Sequence, residues 1–423
     1  MSTTPDQLLA RLDADAQGGN PLALHRLALE LVRRQRLDEA FALQLRAAQG
    51  GVADAQHEVG RMLLHGAGTA ADIPGAIQWL QRAEAAGNVV SGYELALVAI
   101  GGAWLPRDSR INQRVMAAVD AGFPPALRAA AIHFGRKPDA ADQALCLQLL
   151  QRAAAAGDDI AALLLAERLQ RGEGTAPRPE LAAQLFAQTQ ARQWPRLPAV
   201  TAATPQQAPS RPTTLALSDA LQSPPPQVLS AHPAVRCIDH LLSADECRLL
   251  VAAARPRLEA SEVVRADTGK LERASFRSSS DATFDPLSED LALRLVQQRM
   301  AAAAGMELLH GEPLTILRYE VGQEYQPHRD YAPPGSIERD HPQAGNRART
   351  ICLYLNDVEA GGQTAFPLAG LSIEPAAGRA VIFDNLHADG RPDPDTLHAG
   401  VPVERGEKWL ATLWLRQRRY RDF

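Results

Sequence analysis

Four glycines close runs of small residues at nearly one interval, and that interval limits the fold of the first half of the chain more than any other feature. The endings are Ala47-Ala48-Gln49-Gly50, Glu84-Ala85-Ala86-Gly87, Val119-Asp120-Ala121-Gly122 and Ala154-Ala155-Ala156-Gly157, so the glycines stand 37, 35 and 35 residues apart. A weaker copy, Asp15-Ala16-Gln17-Gly18, precedes them. The residues between are rich in alanine and leucine at helical spacing. Such a period, with two helices per unit, marks an α-solenoid, in which each unit buries its apolar face only against its neighbours. Each glycine is expected to end a helix in a left-handed cap, and the alanines let adjacent helices approach closely. The array is expected to occupy residues 1–198.

A chain of 423 residues is too long for one ordinary domain, and its composition changes near position 199. The stretch TAATPQQAPSRPTTLALSDALQSPPPQ has little to bury, so residues 199–231 read as a semi-extended linker. Within it Leu215 to Leu221 has the pattern of one helical turn. From 232 to 423 the signal is different again. Val235–Ile238 reads as a strand; Ser243-Ala244-Asp245-Glu246 is a capping box opening a helix that runs to about Arg255. A second helix is expected from Ser288 to Ala304, stopped by Gly305. Short alternating strands follow at 314–320, 324–328, 349–355, 363–366, 371–373, 380–383, 396–403 and 408–416. The fold expected is therefore multidomain α+β: an all-α helical-repeat solenoid, then a double-stranded β-helix, or jelly roll, with flanking helices.

Charge and cysteine usage narrow the function. The net charge is −5, and the one basic cluster is the tail Arg416, Arg418, Arg419 and Arg421, which reads as a solvated terminus. A nucleic-acid partner is not expected. The four cysteines, Cys146, Cys237, Cys247 and Cys352, have no metal-site or C-x-x-C spacing, which suits a reducing compartment. No apolar run has the length of a membrane span, and the N-terminus has no signal-like pattern, so a cytoplasmic protein is expected, with no membrane partner.

The chemistry concentrates in Leu317 to Tyr331, which reads LRYEVGQEYQPHRDY. His328-Arg329-Asp330 ends a strand-like run, and His398 follows in another. Two histidines and one carboxylate on one face of an iron ion leave three coordination positions open, which suits an Fe(II) centre that must hold a cosubstrate and dioxygen together. Lys408, one of only three lysines among 44 basic residues, stands at a spacing that suits a cosubstrate carboxylate. His387-Ala388-Asp389 is a second His-x-Asp, but Asp389-Gly390 makes it a turn. His25, His57, His65 and His133 are scattered over the repeats and read as core or surface residues.

Two resemblances follow from these residues. Leu64-His65-Gly66-Ala67-Gly68-Thr69 with Ala76-Ile77-Gln78-Trp79-Leu80, and Gln170-Arg171-Gly172-Glu173-Gly174-Thr175 with Ala182-Ala183-Gln184-Leu185-Phe186, resemble the Sel-one-like repeat, a relative of the tetratricopeptide repeat. That implies a surface for a protein partner; the alternative is an array that braces the second half or makes a dimer contact. Residues 235–416 resemble the prolyl 4-hydroxylase type of Fe(II)/2-oxoglutarate dioxygenase, through Tyr319–Gln323, Tyr325–Asp330, Gly361–Pro367, Leu397–Gly400, Gly406–Trp409 and the upstream Phe276-Arg277-Ser278-Ser279-Ser280. The resemblance implies that His328, Asp330 and His398 ligate iron and that Lys408 holds the far carboxylate of 2-oxoglutarate. It also implies that Tyr319 and Thr350 line the cosubstrate pocket, and that Tyr325, Arg347, Trp414 and Arg277 face the substrate. It further implies dioxygen as the other cosubstrate and ascorbate as a reductant. The expected reaction is hydroxylation of a protein or peptide, at a prolyl residue, with release of succinate and CO2. Arg416 stands where animal and plant relatives often carry histidine, which bears on prolyl specificity. The competing readings are a hydroxylase of a free amino acid or small metabolite, and a repeat scaffold with an inactive oxygenase domain.

Overall fold

A computed structural model describes residues 5–201, 215–261, 263–264, 271–272, 277–285, 289–333, 335–337 and 341–422. The core of the tether (202–214), Lys270, Phe276 and Asp340 lie outside the described residues. The chain folds as two compact units, Met1–Ala126 and Leu127–Phe423.

The first unit contains α1 (Pro5–Ala16), α2 (Pro21–Arg33), α3 (Leu37–Gln49), α4 (Ala53–His65), α5 (Ile73–Ala85), α6 (Val89–Gly101) and α7 (Arg110–Asp120). Helix starts are set by side-chain caps: Asn20 accepts from the Leu22 and Ala23 amides, and Asn88 from the Ser91 amide. Alanines 40, 47, 55, 76 and 83 are wholly buried, so helix backbones meet with little side chain between them. Gly87 and Gly122 take the left-handed conformation expected of them, but Gly50 does not. There Gly51, the next residue, has φ +87, and likewise Gly19 rather than Gly18 has φ +72. Gly68 is required for a different reason: a Cβ there would run into the Leu37 carbonyl. His25 and His57 are core residues, bonded to Gln44 (2.8 Å) and Ser91 (3.0 Å).

The second unit begins with α8 (Pro124–Gly135), α9 (Ala140–Ala155), α10 (Asp159–Arg171) and α11 (Pro179–Ala191), and then joins them to the sheet region. Strands β1 (Gln227–Ala231) and β2 (Ala234–Ile238) form a hairpin, followed by α12 (Ala244–Ala254) with the Ser243 capping box intact. Then come β3 (Glu259–Ala260), β4 (Val263–Val264), β5 (Leu271–Glu272), β6 (Ser280–Phe284) and α13 (Leu291–Ala303). The remaining strands are β7 (Leu314–Tyr319), β8 (Tyr325–His328), β9 (Arg347–Tyr354), β10 (Ala360–Gly361), β11 (Thr364–Phe366), β12 (Leu371–Ile373), β13 (Ala380–Asp384), β14 (His398–Gly400), β15 (Val403–Arg405) and β16 (Lys408–Arg416).

An eight-stranded sheet runs β1-β2-β13-β9-β16-β7-β6-β3, and a four-stranded sheet runs β12-β11-β14-β8. Their facing sides close one core: Val235, Tyr354, Val381, Phe383 and Leu410 from the large sheet meet Phe366 and Ile373 from the small one. This is the expected jelly-roll arrangement.

Residues 127–198 do not form a body apart from the jelly roll, because buried ion pairs tie α10 and its following turn to α12. Arg168 Nη2 lies 2.6 Å from Asp245 Oδ2, and Arg248 Nη1 lies 2.6 Å from Glu173 Oε2 and 3.2 Å from Asp245 Oδ1. Arg168 and Asp245 are almost wholly buried, and Arg248 wholly so. From α8, Arg128 bonds Asp158 and Asp290, the N-cap of α13. The described ends of the tether are docked too: Val200 is buried, and Leu217–Leu221 forms a short 3-10 helix whose Ala220 carbonyl accepts from Arg299.

Candidate functional site

The site is built where β8 and β14 pair, with His398 directly opposite His328. Opposed residues of an antiparallel pair project to the same face, and Asp330, two residues on, returns to it. The two imidazole centroids lie 4.3 Å apart. His328 Nδ1 donates to the Gln326 carbonyl at 2.8 Å and His398 Nδ1 to the Thr396 carbonyl at 3.1 Å. Each of these bonds occupies Nδ1 and leaves Nε2 facing the carboxylate. His328 Nε2 is 3.6 Å from Asp330 Oδ1, and His398 Nε2 is 3.8 Å from Asp330 Oδ2. One donor atom from each of the three residues lies within 4.8 Å of the others.

Burial, and then the neighbouring His398, push His328 down to about 3, so its imidazole is neutral at ordinary pH. Burial would raise the Asp330 carboxyl, but His398, His328, Arg347 and the Thr350 hydroxyl outweigh it and the net direction is down. Two imidazoles and a carboxylate are a donor set that fits Fe(II). Behind the carboxylate, the Thr350 hydroxyl donates to Asp330 Oδ2 at 2.8 Å and accepts from Asn385 Nδ2 at 2.9 Å.

Lys408 opens β16 directly opposite Tyr319 on β7. It is 1% exposed, and its Nζ stands 5.1 Å from the Tyr319 ring centroid and 5.4 Å from that of Tyr354. Among the described residues no carboxylate lies within ion-pair distance of it. Burial pushes the amine down to about 8. Gly400 lies beside this amine: a Cβ there would make ordinary contacts, 3.7 Å from Lys408 Nζ and 3.6 Å from Tyr325 Cβ. One cavity is lined by His328, Asp330, His398, Lys408, Tyr319, Tyr325, Trp414 and Arg277 together.

Tyr319 is buried, hydrogen-bonded to Ser279, and its phenol is pushed up by that burial. Tyr325 stacks on His328 with centroids 3.5 Å apart. Arg277 pairs with Asp281 at 2.7 Å and lies over the Tyr325 ring. Trp414 presents an indole Nε1 with no hydrogen-bond partner among the described residues.

Two of the expected site residues stand beside the cavity rather than on its wall. Thr350 does not line the cavity; its hydroxyl is taken by Asp330 on one side and Asn385 on the other. Arg347 does not line it either. Its guanidinium makes two bonds of 2.7 Å to Glu312 and lies over the Trp414 ring. Arg416 shares the same carboxylate at 2.6 Å. Burial raises the Glu312 carboxyl, and the two arginines more than reverse that.

The sequence reading missed Leu317, Cys352, Thr364, Leu410 and Thr412 among the lining residues. A signal for some of them existed: Lys408, Leu410, Thr412 and Trp414 alternate along β16, so the first and last imply the two between. Asn385, after β13, carries no such signal.

Two family models match the chain: the 2OG-Fe(II) oxygenase superfamily over residues 314–416, and the Sel1 repeat over 53–88, 124–158 and 159–189. "Probable prolyl 4-hydroxylase 10" of Arabidopsis thaliana is 35% identical over 214 residues, covering 46% of this chain and 73% of the relative. "Prolyl 4-hydroxylase subunit alpha-1" of Rattus norvegicus is 36% identical over 184 residues, covering 42% of this chain and 33% of the relative. Among solved structures, viral collagen prolyl hydroxylase of Paramecium Bursaria Chlorella virus-1, in its 2OG complex, has 26% identity and a TM-score of 0.34, covering 43% of this chain and 94% of that one.

Proposed function

The chain belongs to the prolyl 4-hydroxylase family of 2OG-Fe(II) oxygenases, and from that premise we propose that it hydroxylates a prolyl residue of a protein or peptide target. The observation that carries the reading is Lys408, a buried amine on the cavity that holds His328, Asp330 and His398, with no carboxylate within ion-pair distance among the described residues. An unpaired buried charge is costly, and an anionic ligand removes that cost.

In this reading His328, Asp330 and His398 hold Fe(II), and Thr350 with Asn385 keeps the Asp330 carboxylate in its orientation. Bound iron supplies activation of dioxygen coupled to decarboxylation of 2-oxoglutarate, giving succinate, CO2 and a hydroxylated substrate carbon. Lys408 Nζ takes the far carboxylate of 2-oxoglutarate, with Tyr319 beside it. Tyr325 packs against the His328 ring and, with Arg277, walls the outer side of the cavity. Trp414 offers its free N–H to a carbonyl of the target chain. The Glu312–Arg347–Arg416 group keeps Trp414 in place through the guanidinium stacked on its ring. Ascorbate dependence and recruitment of the target by the Sel1 repeats belong to the same proposal.

The test is to incubate the full chain with Fe(II), 2-oxoglutarate and host-cell lysate or proline-containing peptides, and to map residues that gain one oxygen atom. Oxygen on prolines, with stoichiometric succinate, is expected. Oxygen gained only by free amino acids or small metabolites would overturn the prolyl reading.

A further inference from the structure

A second group of metal-ligating side chains lies outside the iron site. His232 sits in the turn between β1 and β2, and His387 and Asp393 in the segment between β13 and β14. One donor atom from each lies within 4.8 Å of the others. His232 Nδ1 is 3.8 Å from Asp393 Oδ2, and His387 Nδ1 is 3.9 Å from the same oxygen. The other nitrogen of His232 is 3.1 Å from Asp395 Oδ2.

The two contacts to Asp393 are too long for hydrogen bonds. They suit donors that share an ion, because two atoms each about 2.0–2.2 Å from a zinc-type ion stand roughly 3–4 Å apart. The iron ligands show the same separations, 3.6 and 3.8 Å.

The company kept by buried carboxylates points the same way. In the sheet region Asp245, Glu246, Glu289 and Glu312 are buried and each holds an arginine. Asp330 and Asp393 are buried too, and each instead faces two histidines. Among the described residues no arginine or lysine lies within ion-pair distance of Asp393. Asp393 Oδ1 accepts from the Asp395 amide at 3.0 Å, which leaves Oδ2 as the oxygen that faces both histidines.

We propose that His232, His387 and Asp393 form a second divalent-cation site, separate from the iron centre, with Asp395 holding the outer nitrogen of the His232 ring. Two imidazoles with one carboxylate favour a borderline ion of the zinc type over magnesium or calcium. The ion clips the 385–396 segment to the β1–β2 turn. That segment supplies two carbonyls to the iron site: Pro394 accepts from Arg329 Nε at 2.7 Å, and Thr396 accepts from His398 Nδ1 at 3.1 Å. The site is thus a brace for the backbone that orients His398 and the His-x-Asp element.

The test uses the full chain, stripped with chelator and titrated with zinc alone, reading stoichiometry by calorimetry and by metal content after desalting. Zinc fills the iron site as well, so Asp330→Ala is the informative background. Asp330→Ala is expected to bind one equivalent and to gain thermal stability from it. Asp330→Ala/His387→Ala should bind none and gain nothing. His232→Gln in the same background is the second variant, since its side chain is largely exposed and the change leaves the core intact. Failure of Asp330→Ala to bind zinc, or retention of the equivalent after both His387→Ala and His232→Gln, would overturn the second site. Loss of one equivalent on His387→Ala alone, with none lost on Asp330→Ala, would uphold the second site and overturn the iron assignment instead.

Discussion

At the scale of single residues, the site separates side chains that touch ligands from those that position them. Thr350 belongs to the second kind. Thr350→Val removes the hydroxyl bonded to Asp330 and strands the Asn385 amide, and loss of such a partner typically lowers metal affinity about 10–100-fold. We expect that loss for Fe(II), measured with Mn(II) as a stand-in, with the 2-oxoglutarate KM unchanged and rescue by Thr350→Ser. A rise in KM alone would return Thr350 to the cosubstrate pocket. Lys408 makes the opposite prediction. Lys408→Ala should raise the 2-oxoglutarate KM by about two orders of magnitude, and Lys408→Arg should be only partly tolerated, because the planar fork needs a differently shaped pocket. Burial pushes the folded amine down to about 8, below its ordinary 10.5. Between those values the unfolded chain binds a proton that the folded chain does not, so cosubstrate-free stability should rise with pH across that window. Affinity for 2-oxoglutarate should fall over the same window, since the ammonium is what binds the carboxylate; a flat profile in an anaerobic titration would contradict the assignment. Lys408 was legible in the sequence because lysine is rare in this chain. Thr350's role was not, because it depends on Asn385, a residue that comes near it only when β13 pairs with β9.

At the scale of elements, strands with a clean alternation were read nearly to the residue: β12 and β16 match, and β7, β8, β9, β11 and β13 differ by one or two positions. The run 396–403 was read as one strand and is two, because the chain changes sheets there. β14 pairs with β8 and β11, β15 pairs with β10, and Pro402 between them lacks an amide to continue a ladder. β1 was hidden in the tether, since Pro224-Pro225-Pro226 precedes it, and it is an edge strand. β6 was missed as well; its polar Ser280-Asp281 start disguised a strand that pairs with β7. Least legible was the docking of α10 on α12, because Arg168 and Arg248 look like any exposed helix arginine in sequence. Arg168→Ala should destabilise the second unit by about 3–5 kcal/mol, the usual result of leaving one buried charge unpaired. Arg168→Leu with Asp245→Leu should recover part of that, and only part, because Arg248 also uses Asp245. Urea unfolding of the single and double variants measures both; full additivity would show that the pair is not coupled.

At the scale of the whole molecule, the two compact units divide at 126/127, inside the repeat array that the Sel1 matches follow to residue 189. A chain beginning at Gln227 keeps every iron and cosubstrate residue but discards Arg128, Arg136, Arg168 and Glu173. Those residues neutralise Asp290, Glu246, Asp245 and Arg248 in turn. It also uncovers the face of α12 that α10 occupies. A chain beginning at Pro124 keeps all of these pairs and loses only the first unit. We therefore expect the 227–423 chain to melt well below the full protein or to aggregate. The 124–423 chain should melt close to the full protein's second transition and decarboxylate 2-oxoglutarate at a similar rate. If the first unit recruits the target, the 124–423 chain should act on a short peptide with unchanged kcat/KM and on the intact target with a raised KM, since a second tethered contact raises effective concentration. Melting curves and kinetics of the three chains on both substrates decide the matter. A 227–423 chain as stable as 124–423 would show that the buried arginine–carboxylate pairs do not hold the jelly roll together. Equal KM values on the intact target for the full and 124–423 chains would remove recruitment from the role of residues 1–123.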